Sequence, residues 1–126
     1  MKETSITIIG CGLIGGSIAL ALKRRHPECL VACLDVPERL PAIREAGITD
    51  RIGTMADLDR YVPGSRMVIL ATPVQTIPDT LVQIRPFLRE NTLVTDVGST
   101  KKRIMDEAPK LLPAGVHFIG GHPMAG

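Results

Sequence analysis

The chain has 126 residues, which bounds it to one domain with its own core. Its 15 basic and 13 acidic residues leave a net charge of +2, too weak a basic field for a nucleic-acid-binding protein, and no run of about 18 apolar residues offers a transmembrane helix. Hydrophobic residues make up 44% and aromatics only 2%, so the core has to be aliphatic. The three cysteines, Cys11, Cys29 and Cys33, are an odd set with two members in predicted core positions. That pattern points to reduced thiols and a cytoplasmic protein. Cys29 and Cys33 lie four apart on a predicted strand, where side chains do not converge, so no metal site is expected. Met1–Thr4 leads directly into the first strand and leaves no room for a signal peptide.

The first predicted strand is Ser5–Ile9, a β-branched, mostly apolar run. It passes straight into Gly10-x-Gly12-x-x-Gly15, and an apolar helical pattern begins at once, with Ile14, Ile18, Ala21 and Leu22 expected on one face to about Arg25. His26-Pro27 stops this helix, and Lys23-Arg24-Arg25 suit its negative end. A second strand spans Leu30–Asp35, and Pro37 precedes a helix from about Glu38 to Ala46 that Gly47 closes. Residues 48–65 are read as a turn at Ile52-Gly53-Thr54, a helical turn at Ala56–Arg60 and a loop at Pro63-Gly64. A third strand, Met67–Ala71, ends in Thr72-Pro73. A helix over Thr76–Ile84 holds Pro78 in its first turn and ends at Pro86. A fourth strand, Thr92–Thr95, leads to Asp96-Val97-Gly98-Ser99. A helix from Thr100 to about Ala108 is interrupted by Pro109, and a fifth strand, Val116–Ile119, leads to Gly120–Gly126. Strict alternation of strands and helices predicts an α/β fold, a doubly wound parallel sheet in three α/β/α layers. No repeat or low-complexity segment is present.

A glycine triplet between a strand and a helix is the setting in which that spacing has meaning. The first glycine permits the tight turn, the second lets backbone approach a pyrophosphate, and the third allows close helix–strand packing, with the helix N-terminus favouring an anion. Asp35 ends the second strand 20 residues after Gly15, the spacing of about 20 expected of the acid that accepts the ribose hydroxyls. Together these give a Rossmann-type dinucleotide site that favours NAD over NADP, a preference that Arg39, four residues on, can soften. The expected cofactor-binding residues are Gly10, Cys11, Gly12, Leu13, Ile14, Gly15, Asp35, Thr72 and Pro73.

Ligands of open α/β sheets bind at the carboxyl ends of the strands. Thr72-Pro73, Ser99 and His122 each follow a strand there. His122, between Gly121 and Pro123, can exchange a proton near neutral pH, as a hydride transfer from a carbinol carbon requires. A hydrogen-bonded, inert turn histidine is an equal reading of the residues alone. Ser99 suits a helix N-cap and also a hydrogen bond to a substrate or to His122. Lys101 reads as a solvated first-turn residue, His117 as structural and His26 as solvated.

The series I-I-G-C-G-L-I-G-G-S at 8–17, Asp35, A-T-P-V at 71–74, D-V-G-S-T-K at 96–101 and G-G-H-P-M-A-G at 120–126 resembles the prephenate dehydrogenase family, with its arogenate and cyclohexadienyl relatives. The resemblance implies NAD-dependent oxidative decarboxylation of prephenate to 4-hydroxyphenylpyruvate in tyrosine biosynthesis. His122 and Ser99 would be its catalytic residues, His122 assisting deprotonation of the ring hydroxyl and Ser99 supporting the hydrogen-bond network. It also implies a homodimeric full-length protein with a helical dimerisation and substrate domain. Residues 1–126 are then expected to be the truncated dinucleotide-binding domain, with that helical part absent, weak or inactive by itself. The partner is a small molecule, prephenate or arogenate. Two other readings are a β-hydroxyacid-type dehydrogenase, which uses a lysine on a later helix, and a non-catalytic NAD-sensing module.

Overall fold

A computed structural model describes residues 4–49, 51–97 and 108–120. Six strands form one parallel sheet: β1 (Ser5–Ile9), β2 (Leu30–Leu34), β3 (Arg51–Gly53), β4 (Met67–Leu70), β5 (Leu93–Asp96) and β6 (His117–Gly120). Their spatial order is β3-β2-β1-β4-β5-β6, the doubly wound arrangement with its switch point between β1 and β4. The helices are α1 (Leu13–Arg25), α2 (Leu40–Ala46), α3 (Leu58–Tyr61) and α4 (Ile77–Ile84), with a helical turn over 108–111.

The strands alternate between two half-cores. Ile6 and Ile8 of β1, Val31 and Cys33 of β2 and Ile69 of β4 pack with Ala19 of α1 and Ile43 of α2. Ile9, Ala32, Leu34, Val68, Leu70 and Val94 pack on the other side, with Leu58 and Tyr61 of α3, Ile77, Leu81 and Ile84 of α4, and Ala108. The α4 stripe has the helical spacing of a buried face, and Pro78 sits in its first turn as expected. The expected three-layer architecture is observed.

Several boundaries differ from the sequence expectation. Ile52-Gly53 belongs to strand β3, not to a turn. Three residues with a glycine carry no readable alternation, and pairing to β2, with Asp35 N–H donating to Gly53 O at 3.0 Å, makes the strand. The expected turn at Ala56–Arg60 is a 3-10 turn, Met55–Asp57, closed by a Thr54/Asp57 capping box and followed by α3. Helix α4 ends at Ile84 as expected, and a 3-10 turn over Arg85–Phe87 that contains Pro86 follows it. Pro109 lies within helical residues 108–111, although most of the expected 100–108 helix falls outside the described residues. Strand β6 is half-exposed, because it is the sheet edge.

The buried stripe of α1 also differs. Gly15 and Ala19 are its buried positions, with Ile18 and Leu22 partly buried, whereas Ile14 is 42% exposed and Ala21 is exposed. The helix lies so close to the sheet that only small residues fit beneath it. A Cβ on Gly15 would stand 1.9 Å from Gly10 O and 3.2 Å from Ala71 Cβ, while one on Gly16 would stand 3.5 Å from Cys11 O, an ordinary contact. Gly15→Ala is therefore expected to destabilise the fold by about 1–3 kcal/mol or more. Gly16→Ala is expected to be neutral or stabilising by up to about 1 kcal/mol, from helix propensity. Urea unfolding of the two variants checks both.

Candidate dinucleotide-binding site

All six strands run in one direction, so their carboxyl ends form one rim. At the end of β1 the chain turns sharply at Gly10, with φ +90°, and its N–H donates to Leu34 O at 2.8 Å. A Cβ there would stand 2.8 Å from Thr72 Cγ2 and 2.9 Å from the Ala71 carbonyl. The first glycine thus lets the turn lie against the end of β4. Gly12 caps α1 without any side-chain hydrogen bond, leaving the helix N-terminus open. Among the described residues, the atoms near a Gly12 Cβ would belong to Arg39, with Nη2 at 3.1 Å.

Asp35 lies directly after β2. Its Oδ2 accepts from the Cys11 backbone N–H at 2.7 Å, and its Oδ1 accepts from the Val36 N–H at 2.7 Å. Arg39 Nε lies 3.4 Å from Oδ2; the Asp35 side chain is 11% exposed and that of Arg39 54%. An ion pair this exposed contributes about 0.2–1 kcal/mol. The acidic residue selected by its spacing therefore also ties down the glycine turn.

Two clefts meet at Leu13, which is 88% exposed. One, of about 520 Å³, opens between α1 and α2 and is lined by Cys11, Gly12, Ser17, Glu38 and Arg39. The other, of about 400 Å³, is lined by Ile14, Ala71, Thr72, Pro73, Val74 and Val97. Thr72 Oγ1 is buried without a hydrogen-bond partner among the described residues, so a ligand with a donor or acceptor would satisfy it. The residue set fits a dinucleotide: a turn without side chains, an open helix N-terminus, a fixed carboxylate, and an unpaired hydroxyl on the far side.

The structure therefore brings Gly10, Cys11, Gly12, Leu13, Ile14, Gly15, Asp35, Thr72 and Pro73 to the same rim. Ser99, Lys101 and His122 lie outside the described residues; β5 and β6, which precede Ser99 and His122 in the chain, end on this rim with Asp96 paired to Gly120. Asp96 is fully buried. Sequence reasoning missed Val74 and Val97 as cleft residues, and their one signal is that they follow strand ends. Cys11, in the glycine turn, also meets the Cys33 thiol. That thiol neighbour, together with burial, pushes the Cys11 thiol above its ordinary value.

Six parallel strands in this order, with a glycine turn at the central switch point, define a nucleotide-binding domain of the Rossmann type. Residues 18–126 match the family described as prephenate dehydrogenase, nucleotide-binding domain. The chain belongs to the prephenate dehydrogenase family. It is 40% identical to a prephenate dehydrogenase of Bacillus subtilis strain 168, a match covering all of this chain and 34% of that protein. The fold superposes on the prephenate dehydrogenase of A. aeolicus in complex with hydroxyphenyl propionate and NAD+, with a TM-score of 0.86 and 30% identity, over all of this chain and 43% of that one. A Synechocystis arogenate dehydrogenase gives a TM-score of 0.79 at 34% identity, over 98% of this chain and 42% of that one. The chain thus spans about a third of the length of the Bacillus relative. No described helix is long and apolar enough to cross a membrane.

Because the folded state favours the neutral Cys11 thiol, its contribution to stability is fully present below the ordinary thiol pKa and is lost as pH rises above about 8.5. Stability measured by urea unfolding is expected to decline across that range, less so in Cys11→Ala. Iodoacetamide is expected to label the half-buried Cys29 before the buried Cys11 and Cys33, read by peptide mass.

Proposed function

We propose that this chain is the NAD-binding domain of an enzyme that oxidatively decarboxylates prephenate to 4-hydroxyphenylpyruvate, a step of tyrosine biosynthesis in the cytoplasm. The observation that carries this reading is membership of the prephenate dehydrogenase family together with Asp35 fixed beside the glycine turn. In this reading the pyrophosphate lies on the N–H groups of Gly12–Ile14, and Asp35 accepts the adenosine ribose hydroxyls. The far half of the nucleotide lies in the cleft of Ile14, Thr72, Pro73 and Val97. Ile14, Val74 and Val97 give that cleft an apolar wall.

NAD supplies the hydride acceptor. His122 takes the proton of the ring hydroxyl as hydride leaves the same carbon, and Ser99 holds that imidazole or the hydroxyl in place. The electron pair left when the ring carboxylate departs as carbon dioxide completes the aromatic ring. In this reading the substrate carboxylates and the dimer contact are met by a helical domain of the full-length enzyme, of whose Bacillus relative this chain spans 34%. Arogenate is the second reading, favoured by the 34% identity to the Synechocystis arogenate dehydrogenase.

Two measurements test this. The 126-residue chain is expected to bind NADH, and Asp35→Ala to weaken that binding about tenfold or more, read by titration of nucleotide fluorescence. In a protein carrying both domains, His122→Asn is expected to lower kcat by roughly 10²- to 10⁴-fold with little change in NAD affinity. Unchanged turnover in that variant would return His122 to a structural role.

A further inference from the structure

We propose that Arg39 sets the cofactor selectivity of this chain. Its guanidinium stays on Asp35 when the adenosine ribose carries two hydroxyls and moves onto the phosphate when the ribose is 2′-phosphorylated. NADP is then admitted at reduced affinity instead of being excluded. The inference rests on the dinucleotide-binding reading above and concerns the adenosine end of that same site.

Placement is the first argument. Arg39 Nε is 3.4 Å from Asp35 Oδ2, and Nη2 lies 3.1 Å from where a Gly12 Cβ would be. The guanidinium thus spans the gap between the carboxylate that meets the ribose and the turn that meets the pyrophosphate. A phosphate on the ribose 2′-oxygen would enter this gap.

The second argument is which charge can move. Both oxygens of Asp35 are held by backbone N–H groups, those of Cys11 and Val36, each at 2.7 Å. The carboxylate therefore cannot withdraw from a 2′-phosphate, and it remains as a repulsive charge. Glu38, which lines the same cleft, adds to that repulsion. Arg39 differs. Its backbone is fixed between Pro37 and Pro41, with its N–H donating to Val36 O at 3.0 Å, and it caps the start of α2. Its side chain is more than half exposed and is held by a weak pair. A fixed Cα with a free guanidinium can exchange one anion for another at little cost.

The third argument is chemical. A guanidinium presents a planar fork of donors matched to phosphate oxygens, and a dianionic phosphate is a stronger partner than a carboxylate already satisfied by two backbone donors. Asp35 and Glu38 thus oppose the 2′-phosphate while Arg39 attracts it.

The test is titration of NADH and NADPH into the wild-type chain, Arg39→Ala, Asp35→Asn and the double variant, followed by nucleotide fluorescence; the chain has no tryptophan to interfere. The wild type is expected to bind both, NADH more tightly. Arg39→Ala should lower the ratio of NADPH to NADH affinity by about tenfold or more, the loss expected on removing a charge-assisted bidentate contact. Asp35→Asn should raise that ratio, and adding Arg39→Ala should cancel most of the rise. An unchanged ratio in Arg39→Ala, or a wild type that binds NADH and not NADPH, overturns the role of Arg39 while leaving the dinucleotide site standing. A wild type that binds neither overturns the dinucleotide reading, and this inference with it.

Discussion

The carbonyl oxygen of Gly10 and the α-carbon of Gly15 are pressed together so closely that no side chain fits between them. This contact sets the distance between α1 and the sheet, and the rest of the rim is arranged around it. It brings the start of α1 down onto the ends of β1 and β4. The same closeness explains why the buried stripe of α1 is made of Gly15 and Ala19, with the larger apolar residues moved to its flanks. Ile14 and Leu13 are left at the cleft mouth, exposed where apolar side chains would otherwise be expected to turn inward.

A second tie runs sideways. Asp35 holds the turn through the Cys11 N–H, and the backbone of Gly10 bonds to Leu34, so the ends of β1 and β2 are locked at two points. A carboxylate with one oxygen committed to the turn and the other to Val36 is already desolvated and oriented. Preorganisation of this kind lowers the ordering cost of binding a ligand. Beneath the turn, Cys11 packs into the half-core of Ile6, Ile8 and Cys33, which makes the loop an extension of the core and not a flap over it.

Two layers of helices shield the sheet from both sides, and the rim is where its polar groups emerge. Thr72 and Asp35 sit on opposite sides of α1's N-terminus, on the strands that flank β1. The switch point arises because the chain leaves β1 in one direction to form β2 and β3 and returns to the other side for β4, β5 and β6. The crevice is thus a product of winding order, and the side chains chosen for it are those a dinucleotide needs.

The residues by themselves determined the parallel α/β architecture, the limits of α1 from Leu13 to Arg25, the glycine turn and Asp35, because these depend on local periodicity and fixed spacing. They also singled out Thr72-Pro73 as a strand-end pair at the rim. Tertiary structure decided what local pattern cannot encode. Strand β3 exists because β2 offers it hydrogen bonds, and its three residues have no strand pattern of their own. The face of α1 that is buried was settled by how near the helix comes to the sheet, not by where its largest apolar residues lie. The position of the Arg39 guanidinium over Gly12 follows from a proline-bracketed turn meeting a glycine loop 27 residues away in the chain, a meeting that only the pairing of β1 with β2 brings about.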